Sequence, residues 1–266
     1  MMIVVNINPV VFSIGPLTVR WYGLMYVVAI VVGTLVVWPY AKSKGLDKEV
    51  PRSQLENLLL ISVVAGVVGA RLYFVLQQPL GPYLQQPWRI LAFWQGGMAF
   101  YGAVFAVVIV LIVFALRNRI PVWRFLDAAA LFAVVGQFFG RIGNFINGDI
   151  IGYPTTLPWG VMYANPNSFP PRHDIAYQPA AAYEAIIDII LFGILWRLRN
   201  RVRPGVLFFV YIFGYSVSQL IVFFWRDNEI VFLGLKQAQV TAIVVMIVAA
   251  VVFLWFMKRR AIKRPE

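Results

Sequence analysis

Cysteine is absent from the 266-residue sequence, and histidine occurs once, at His173. Without cysteine, the chain can form no disulfide, no thiolate metal site and no cysteine nucleophile of its own. A single histidine excludes a histidine-rich metal site. Lysine and arginine are also absent before Arg20, so residues 1–19 lack the basic start that is typical of a secretory signal peptide.

Charge is scarce as well, because only 13% of the residues are charged while 61% are hydrophobic. Soluble domains are about a quarter charged. Several apolar runs are long enough to cross the ~30 Å hydrocarbon core of a bilayer. These runs are continuous, whereas the strands of a membrane barrel alternate over short segments. The composition therefore predicts an all-α polytopic membrane protein.

The apolar runs divide the chain into seven predicted transmembrane helices within one domain, residues 1–266. The loop 148–177 contains five prolines, which exclude a long helix, and aromatic residues, which argue against disorder. We expect this loop to form a small external head together with residues 1–19. The predicted spans are 20–41, 55–77, 95–116, 125–147, 180–196, 205–225 and 237–257.

The basic residues indicate an orientation, because sixteen of the 23 lie in alternate linkers or in the C-terminal tail. The positive-inside rule places these segments in the cytoplasm, with the N-terminus outside and the C-terminus inside. The net charge of +12 is then an orientation signal and a contact for anionic lipid, and a nucleic-acid partner is not expected. The sixteen are Lys42, Lys44, Lys48, Arg52, Arg117, Arg119, Arg124, Arg197, Arg199, Arg201, Arg203, Lys258, Arg259, Arg260, Lys263 and Arg264.

Polar side chains recur in the outer halves of several predicted spans. Arg141, Asn144 and Asn147 share one helix face at i, i+3 and i+6, and Glu184 and Asp188 share another at i, i+4. An ionisable residue within hydrocarbon costs a few kcal/mol and usually faces a cavity or a partner. The pattern predicts a cationic, amide-rich cavity that opens to lipid. Since arginine binds phosphate through a planar fork, a phospholipid headgroup fits this cavity.

Ordinary structural roles also explain these residue types. Arginines near a membrane surface extend towards the headgroups, and asparagines hydrogen-bond between helices. Tyrosines form interfacial belts, and carboxylates pair with arginines to hold a helix bundle together. His173, in the proline-rich loop, is expected to have no catalytic role. The residues for which both interpretations stay open are Arg71, Arg141, Asn144, Asn147, Tyr22, Tyr101, Glu184 and Asp188.

One long motif, GRIGNFINGDIIG at 140–152, resembles the signature of the prolipoprotein diacylglyceryl transferase family. Four other blocks resemble the family in the same order along the chain. They are FSIGPLTVRWYGLMY at 12–26, GARLYFVL at 69–76, WQGGMAFYGA at 94–103 and QPAAAYE at 178–184. The resemblance covers nearly the whole chain.

The resemblance implies an enzyme of the bacterial cell membrane with two substrates. The family transfers the diacylglyceryl group of phosphatidylglycerol to the lipobox cysteine of a preprolipoprotein signal peptide. A thioether forms and glycerol phosphate is released. The resemblance implies neither a metal nor an organic cofactor. The lack of cysteine is consistent with this chemistry, because the nucleophilic thiol belongs to the substrate.

The resemblance also assigns site residues. Arg141 corresponds to the phosphatidylglycerol-binding arginine and is expected to stabilise the leaving phosphate, with Asn144 and Asn147 donating to the headgroup. Tyr101 occupies the position of a histidine in many members and is a candidate base for the thiol, provided that a nearby cation lowers its pKa of ~10. The further predicted substrate-binding residues are Asp149, Gly152, Tyr22, Arg71, Tyr183, Glu184, Tyr215 and Arg226.

Three positions depart from the family pattern. Asp149 replaces a glutamate, and Gln219 and Phe223 stand where the family has an arginine and, four residues on, a glutamate. Losing both charges together leaves no orphan charge. Arg226 is predicted to supply the second cation, from the same helix face as Gln219, two turns further on. A non-catalytic or substrate-altered paralogue that binds anionic phospholipid is the alternative, whereas a transporter is disfavoured because repeated halves and broken spans are missing.

Overall fold

The computed structural model describes residues 2–15, 17–46, 50–92 and 97–262. The chain divides into two compact units. The smaller unit is Pro39–Ala128, and the larger unit comprises Met1–Trp38 and Ala129–Glu266. All the predicted site residues belong to the larger unit except Arg71 and Tyr101, which belong to the smaller one.

Each of the seven predicted spans overlaps one long helix. The third predicted span begins at residue 95, which lies outside the described residues, and its helix begins at Phe100. Two short helical turns precede that helix. The helices are α1 Trp21–Ser43, α2 Arg52–Leu76, α3 Gly81–Gln85, a 3₁₀ turn Pro87–Leu91, α4 Phe100–Arg117, α5 Val122–Asn147, α6 Ala180–Leu198, α7 Val206–Val222 and α8 Gln237–Ile262.

Four of these helices, α1, α2, α5 and α8, are long and apolar enough to cross a membrane, judged by length and composition over the described residues. Because they lie at intervals along the whole chain, they support a polytopic helical membrane protein. Helices α4 and α7 are apolar but have 18 and 17 residues.

Proline and glycine mark several helix ends. Pro51, Pro121 and Pro179 stand immediately before α2, α5 and α6, where the missing N–H of proline costs nothing. Helix α5 ends at Asn147 because Gly148 adopts the left-handed conformation, with φ of 73°, and donates its N–H to the carbonyl of Asn144. This end places the last turn of α5, with Arg141 and Asn144, directly before the proline-rich loop.

Three small strand pairs depart from the all-α expectation. Strand β1, Ile3–Val5, pairs in parallel with β4, Val161–Tyr163, so the N-terminal segment joins the proline-rich loop. The side chains of Val5, Val161 and Tyr163 form a small core there. Strands β2 and β3, Val10–Ile14 and Leu17–Arg20, form one hairpin, and β5 and β6, Ile230–Phe232 and Leu235–Lys236, form another. Strands of two to five residues are too short to produce a readable alternation in the sequence.

Helices pack against each other closely within each unit. In the smaller unit, α2 packs against α4 through two glycines, since a Cβ added at Gly69 would lie 2.6 Å from the carbonyl oxygen of Gly102. In the larger unit, α6 packs against α7, and α7 packs against α8. The contact of α6 with α7 brings Glu184 next to Gln219, and Arg141 of α5 pairs with the same carboxylate.

Candidate active site

Glu184, in the second turn of α6, is the centre of a buried charge cluster. Its Oε2 atom lies 2.6 Å from Nη2 of Arg141, and the two side chains are only 2% and 13% exposed. Arg141 lies in the penultimate turn of α5. A charge-assisted contact this short, shielded from water, fixes the guanidinium of Arg141 against α6.

Arg226 approaches the same carboxylate from the other side. Its Nη1 atom lies 3.5 Å from Oε1 of Glu184, and its guanidinium stacks 4.5 Å from the centre of the Phe223 ring. Nε2 of Gln219 donates to Oε2 of Glu184 at 3.3 Å. Two guanidinium groups therefore share one carboxylate, and the three side chains Arg141, Arg226 and Glu184 carry one net positive charge between them.

The two unusual residues, Gln219 and Phe223, both contact this cluster. Gln219 retains a hydrogen bond to Glu184 without adding charge, and Phe223 offers its ring to Arg226. The predicted same-face relation of Gln219 and Arg226 is wrong, because α7 ends at Val222, one turn before Arg226. Arg226 instead reaches the cluster from a turn that pairs with Gly152 in an isolated β-bridge.

Asn144 links the buried arginine to an exposed carboxylate. Nη1 of Arg141 donates to Oδ1 of Asn144 at 3.3 Å, as the i, i+3 spacing predicts. Nδ2 of Asn144 donates to both carboxylate oxygens of Asp149, at 3.2 and 3.3 Å. Asn144 is buried while Asp149 is exposed. The amide thus holds Arg141 with one end and Asp149 with the other.

Asn147 pairs with Arg20, a residue that the sequence argument did not include in the site. Nη1 of Arg20 donates to Oδ1 of Asn147 at 3.0 Å and to the carbonyl of Asn167 at 3.1 Å. The Arg20 guanidinium also stacks 4.0 Å from the Phe169 ring. Since 127 residues separate Arg20 from Asn147, no local spacing could have revealed the pair.

Tyr22 lies beside the same end of α5. A Cβ added at Gly143 would lie 2.9 Å from the Cα atom of Tyr22, so this glycine permits α1 to approach α5 closely. The Tyr22 hydroxyl is 2.5 Å from that of Tyr26, and their rings pack edge to face. Tyr215, on α7, is buried and close enough to Arg141 and Arg226 to interact with both electrostatically.

Tyr183 and Gly152 connect the cluster to the proline-rich loop. The Tyr183 hydroxyl donates to Oε1 of Gln178 at 2.7 Å and accepts from Nε1 of Trp159 at 2.8 Å. A Cβ added at Gly152 would lie 2.2 Å from the carbonyl oxygen of Trp225. Gly152 therefore meets the turn that carries Arg226, and only glycine fits there.

The loop itself contains two perturbed ionisable groups. Burial, followed by the negative charge of Asp149, raises the pKa of the Tyr163 phenol. The hydrogen bonds from the Arg172 guanidinium hold the pKa of Asp174 below its usual range, although both side chains are exposed. His173 contacts the carbonyl of Tyr163 through Nδ1 at 2.8 Å. These groups order the loop around β4.

Arg71 and Tyr101 lie in the smaller unit. Arg71 is buried and donates to the carbonyls of Ile90, Gly97 and Arg89 at 3.0, 3.0 and 2.7 Å. The Arg71 side chain is therefore buried against main-chain carbonyls and does not extend towards the headgroups, which was the alternative role considered for it. Tyr101, in the first turn of α4, is buried and stacks on Phe105.

An apolar groove of about 280 Å³ opens beside Arg141, between α5 and α6. Phe138 and Ile142 line it from α5, and Ala185 and Ile189 line it from α6. A hydrocarbon chain in this groove would place an attached polar group next to the guanidinium. Within the described ranges, no three His, Asp or Glu side chains converge on a metal-sized site.

Comparison with known proteins gives a consistent result. The sequence model of the family described as prolipoprotein diacylglyceryl transferase matches residues 9–255. The chain is 35% identical to the phosphatidylglycerol–prolipoprotein diacylglyceryl transferase of Rhizobium meliloti (strain 1021) over 84% of this chain and 81% of that protein. It is 34% identical to the protein of the same name from Trichormus variabilis, over 97% of this chain and 92% of that protein.

A third relative of the same name, from a Wolbachia strain of Drosophila simulans, is 32% identical over 94% of this chain and 95% of its own length. The family match covers residues 9–255 and so includes Arg141, Glu184, Gln219 and Arg226. The chain therefore belongs to the prolipoprotein diacylglyceryl transferase family.

Proposed function

We propose that this protein transfers the diacylglyceryl group of phosphatidylglycerol to the lipobox cysteine of preprolipoproteins. The observation that carries the proposal is the pairing of Arg141 and Arg226 around Glu184, beside an apolar groove between α5 and α6. Guanidinium groups bind phosphate oxygens, and the groove accepts an acyl chain attached to the same lipid. Family membership supplies the reaction to which this binding geometry belongs.

The transfer is a displacement at a glyceryl carbon. The substrate thiolate forms a new C–S bond to the glyceryl carbon that carries the phosphate ester. The C–O bond to the phosphate breaks, and glycerol phosphate leaves with the bonding electron pair. Negative charge therefore grows on a phosphate oxygen in the transition state. Arg141, already fixed by Glu184 and Asn144, is the group positioned to stabilise that charge.

Glu184 has two effects in this scheme. It orients Arg141 and Arg226 before the lipid binds, and it neutralises part of their mutual repulsion. The 3.5 Å contact to Arg226 is longer than the 2.6 Å contact to Arg141. Arg226 is therefore the guanidinium that a phosphate can draw away from Glu184 at the smaller electrostatic cost.

Removal of the thiol proton requires a base, because the thiolate is the nucleophile. We assign this step to Tyr101, which the resemblance places at the family's histidine position. A phenol needs a nearby positive charge to accept a proton near neutral pH. Replacing Tyr101 with phenylalanine should then slow the transfer near neutral pH and have less effect at a pH above the pKa of the thiol, where the thiolate forms without a base.

Membrane placement follows from the positive-inside rule. In the proposed arrangement all seven long helices cross the cytoplasmic membrane of the bacterial cell, with the N-terminus outside and the C-terminus inside. The loop 148–177 and strand β1 then form an external head, and the chain acts as one transferase domain. This orientation puts the Glu184 cluster in the outer half of the membrane, where the lipobox of an exported precursor arrives.

The alternative function is that of a non-catalytic or substrate-altered paralogue that binds anionic phospholipid. Gln219 and Phe223 favour it, since the charged pair that the resemblance implies at these positions is replaced by a neutral amide and a ring. Both functions predict phosphatidylglycerol binding at Arg141. They differ in whether a covalent product forms.

One experiment separates the two functions. The purified full-length protein is incubated with phosphatidylglycerol and a synthetic lipobox peptide, and the mass of the peptide is followed. Transfer adds one diacylglyceryl group to the peptide. Matched controls replace the peptide cysteine with serine or replace the lipid with phosphatidylcholine, and neither should give the adduct. Lipid binding without any adduct selects the non-catalytic paralogue.

A further inference from the structure

Lys236 is a buried lysine that none of the assigned roles uses. It stands at the end of β6, directly before the first residue of α8, and its side chain is 5% exposed. Its Nζ atom donates to the carbonyl of Phe223 at 2.6 Å and to the carbonyl of Arg226. The ammonium also lies 4.7 Å from the centre of the Tyr153 ring.

The two carbonyls belong to the end of helix α7 and the turn that follows it. The last four carbonyls of a helix have no partner within the helix, and the helix dipole makes this end negative. A lysine ammonium donates hydrogen bonds to the unpaired carbonyls and also brings a positive charge to the negative end of the helix. Gln239 joins the same two segments, because its Oε1 accepts the N–H of Lys236 and its Nε2 donates to the carbonyl of Leu220, each at 3.0 Å. We call these contacts of Lys236 and Gln239 the clamp.

The turn that Lys236 holds is the one that aims Arg226. Phe223 and Arg226, whose carbonyls bind Nζ, are also the two residues whose side chains stack on each other at 4.5 Å. From this turn the Arg226 guanidinium reaches Glu184. Main-chain hydrogen bonds to Gly152 and Tyr153 and a ring contact between Trp225 and Tyr183 hold the same turn from the other side.

We propose that Lys236 is a positioning residue for the transferase, holding the Phe223–Arg226 turn so that the Arg226 guanidinium meets Glu184 and the phosphate of the lipid. The proposal rests on the function proposed above. Lys236 itself does not touch the phosphate, because its ammonium is buried and bound to two main-chain carbonyls. Because α7 ends at Val222, the turn and not the helix sets the direction of Arg226.

A double-mutant cycle on the full-length protein tests this role. Lys236→Met keeps the apolar stem and removes the ammonium, Arg226→Gln removes the guanidinium, and a third variant combines the two. Transfer to the lipobox peptide and binding of phosphatidylglycerol in mixed micelles are both measured. We expect Lys236→Met to lower the rate by about tenfold in the parent, since small displacements of a positioning group cost this much or more. In the Arg226→Gln background the same change should lower it by less than about twofold.

Two further variants distinguish positioning from simple stability. Lys236→Arg keeps a cation and several donors, and it should recover most of the rate and of the lipid affinity. Arg199→Met is the matched control, because Arg199 also donates to a carbonyl near a helix end, that of Trp196, and stacks 3.8 Å from the Trp196 ring. Its loss should lower the thermal unfolding temperature as much as Lys236→Met does while leaving transfer unchanged.

Each result decides the question. A loss of equal size in both backgrounds, or no loss in the parent, overturns the proposal. If Lys236→Met does not fold, the cycle is run with Lys236→Gln, which retains one donor, and the same criteria apply. If the parent forms no adduct but binds phosphatidylglycerol, the proposed transfer fails and the cycle is judged on binding alone. A parent that neither transfers nor binds the lipid overturns both.

Discussion

Replacing Arg141 with lysine keeps the positive charge and removes the planar fork. In the structure, Nη2 of Arg141 holds Glu184 at 2.6 Å while Nη1 holds Asn144 at 3.3 Å. A lysine side chain is shorter and ends in a single nitrogen, so it can contact Glu184 or the phosphate but not both at once. Arg141→Lys should therefore lose the aligned contact to the leaving phosphate while Glu184 remains paired.

The expected loss follows from that contact. Removing one preorganised donor from a developing negative charge costs about 2.7 kcal/mol or more, which is about 100-fold in rate at 1.4 kcal/mol per decade. Initial rates come from the mass shift of the lipobox peptide, and thermal unfolding in detergent checks that the variant folds. The matched control is Arg172→Lys, at an exposed arginine whose fork binds Asp174 outside the cluster. The expected loss is about 100-fold. An Arg141→Lys rate within about threefold of the parent would show that the Arg141 guanidinium does not stabilise the leaving phosphate.

Four other predictions follow from the same geometry. Arg226→Gln should lower transfer by about tenfold or more, and adding Gln219→Arg to that variant should restore part of the rate; an unchanged Arg226→Gln rate contradicts the two-arginine site. Glu184→Gln leaves two buried guanidiniums without their carboxylate and should cost about 3 kcal/mol of stability, whereas Asp188→Asn should cost less, because Asp188 interacts with Arg141 more weakly than Glu184 does; equal losses in thermal unfolding would count against the cluster. Gly152→Ala should reduce transfer sharply, because the new Cβ would lie 2.2 Å from a main-chain oxygen, and alanine at an uncrowded helix glycine is its control. A reporter fused to the C-terminus should be active only in the cytoplasm, and activity outside would reverse the proposed orientation.

The helices could be predicted from the sequence because each depends on local information. Continuous apolar runs mark the seven long helices, and prolines and Gly148 mark several of their ends. The strand pairs could not be predicted, since β1 and β4 have three residues each and lie more than 150 residues apart. The sequence indicated that the N-terminal segment and the proline-rich loop belong together, but it did not indicate that they pair as strands.

The contacts within the candidate site were predictable where one helix determines them. Arg141 and Asn144 were found by their spacing on α5, and the structure joins them by a hydrogen bond. Glu184 and Arg226 were also predicted as site residues, whereas a lysine before α8 or an arginine before α1 resembles any interfacial basic residue. Lys236 and Arg20 were therefore recognised only through their contacts.

The proposed transfer has two products, the diacylglyceryl-modified peptide and glycerol phosphate. The most direct measurement follows both products in one tube, with the purified protein, phosphatidylglycerol that carries deuterated acyl chains, and the lipobox peptide. We expect the peptide to gain the mass of the labelled diacylglyceryl group and one glycerol phosphate to be released for each adduct. An unchanged peptide mass in the presence of bound lipid, or an adduct without released glycerol phosphate, would contradict it.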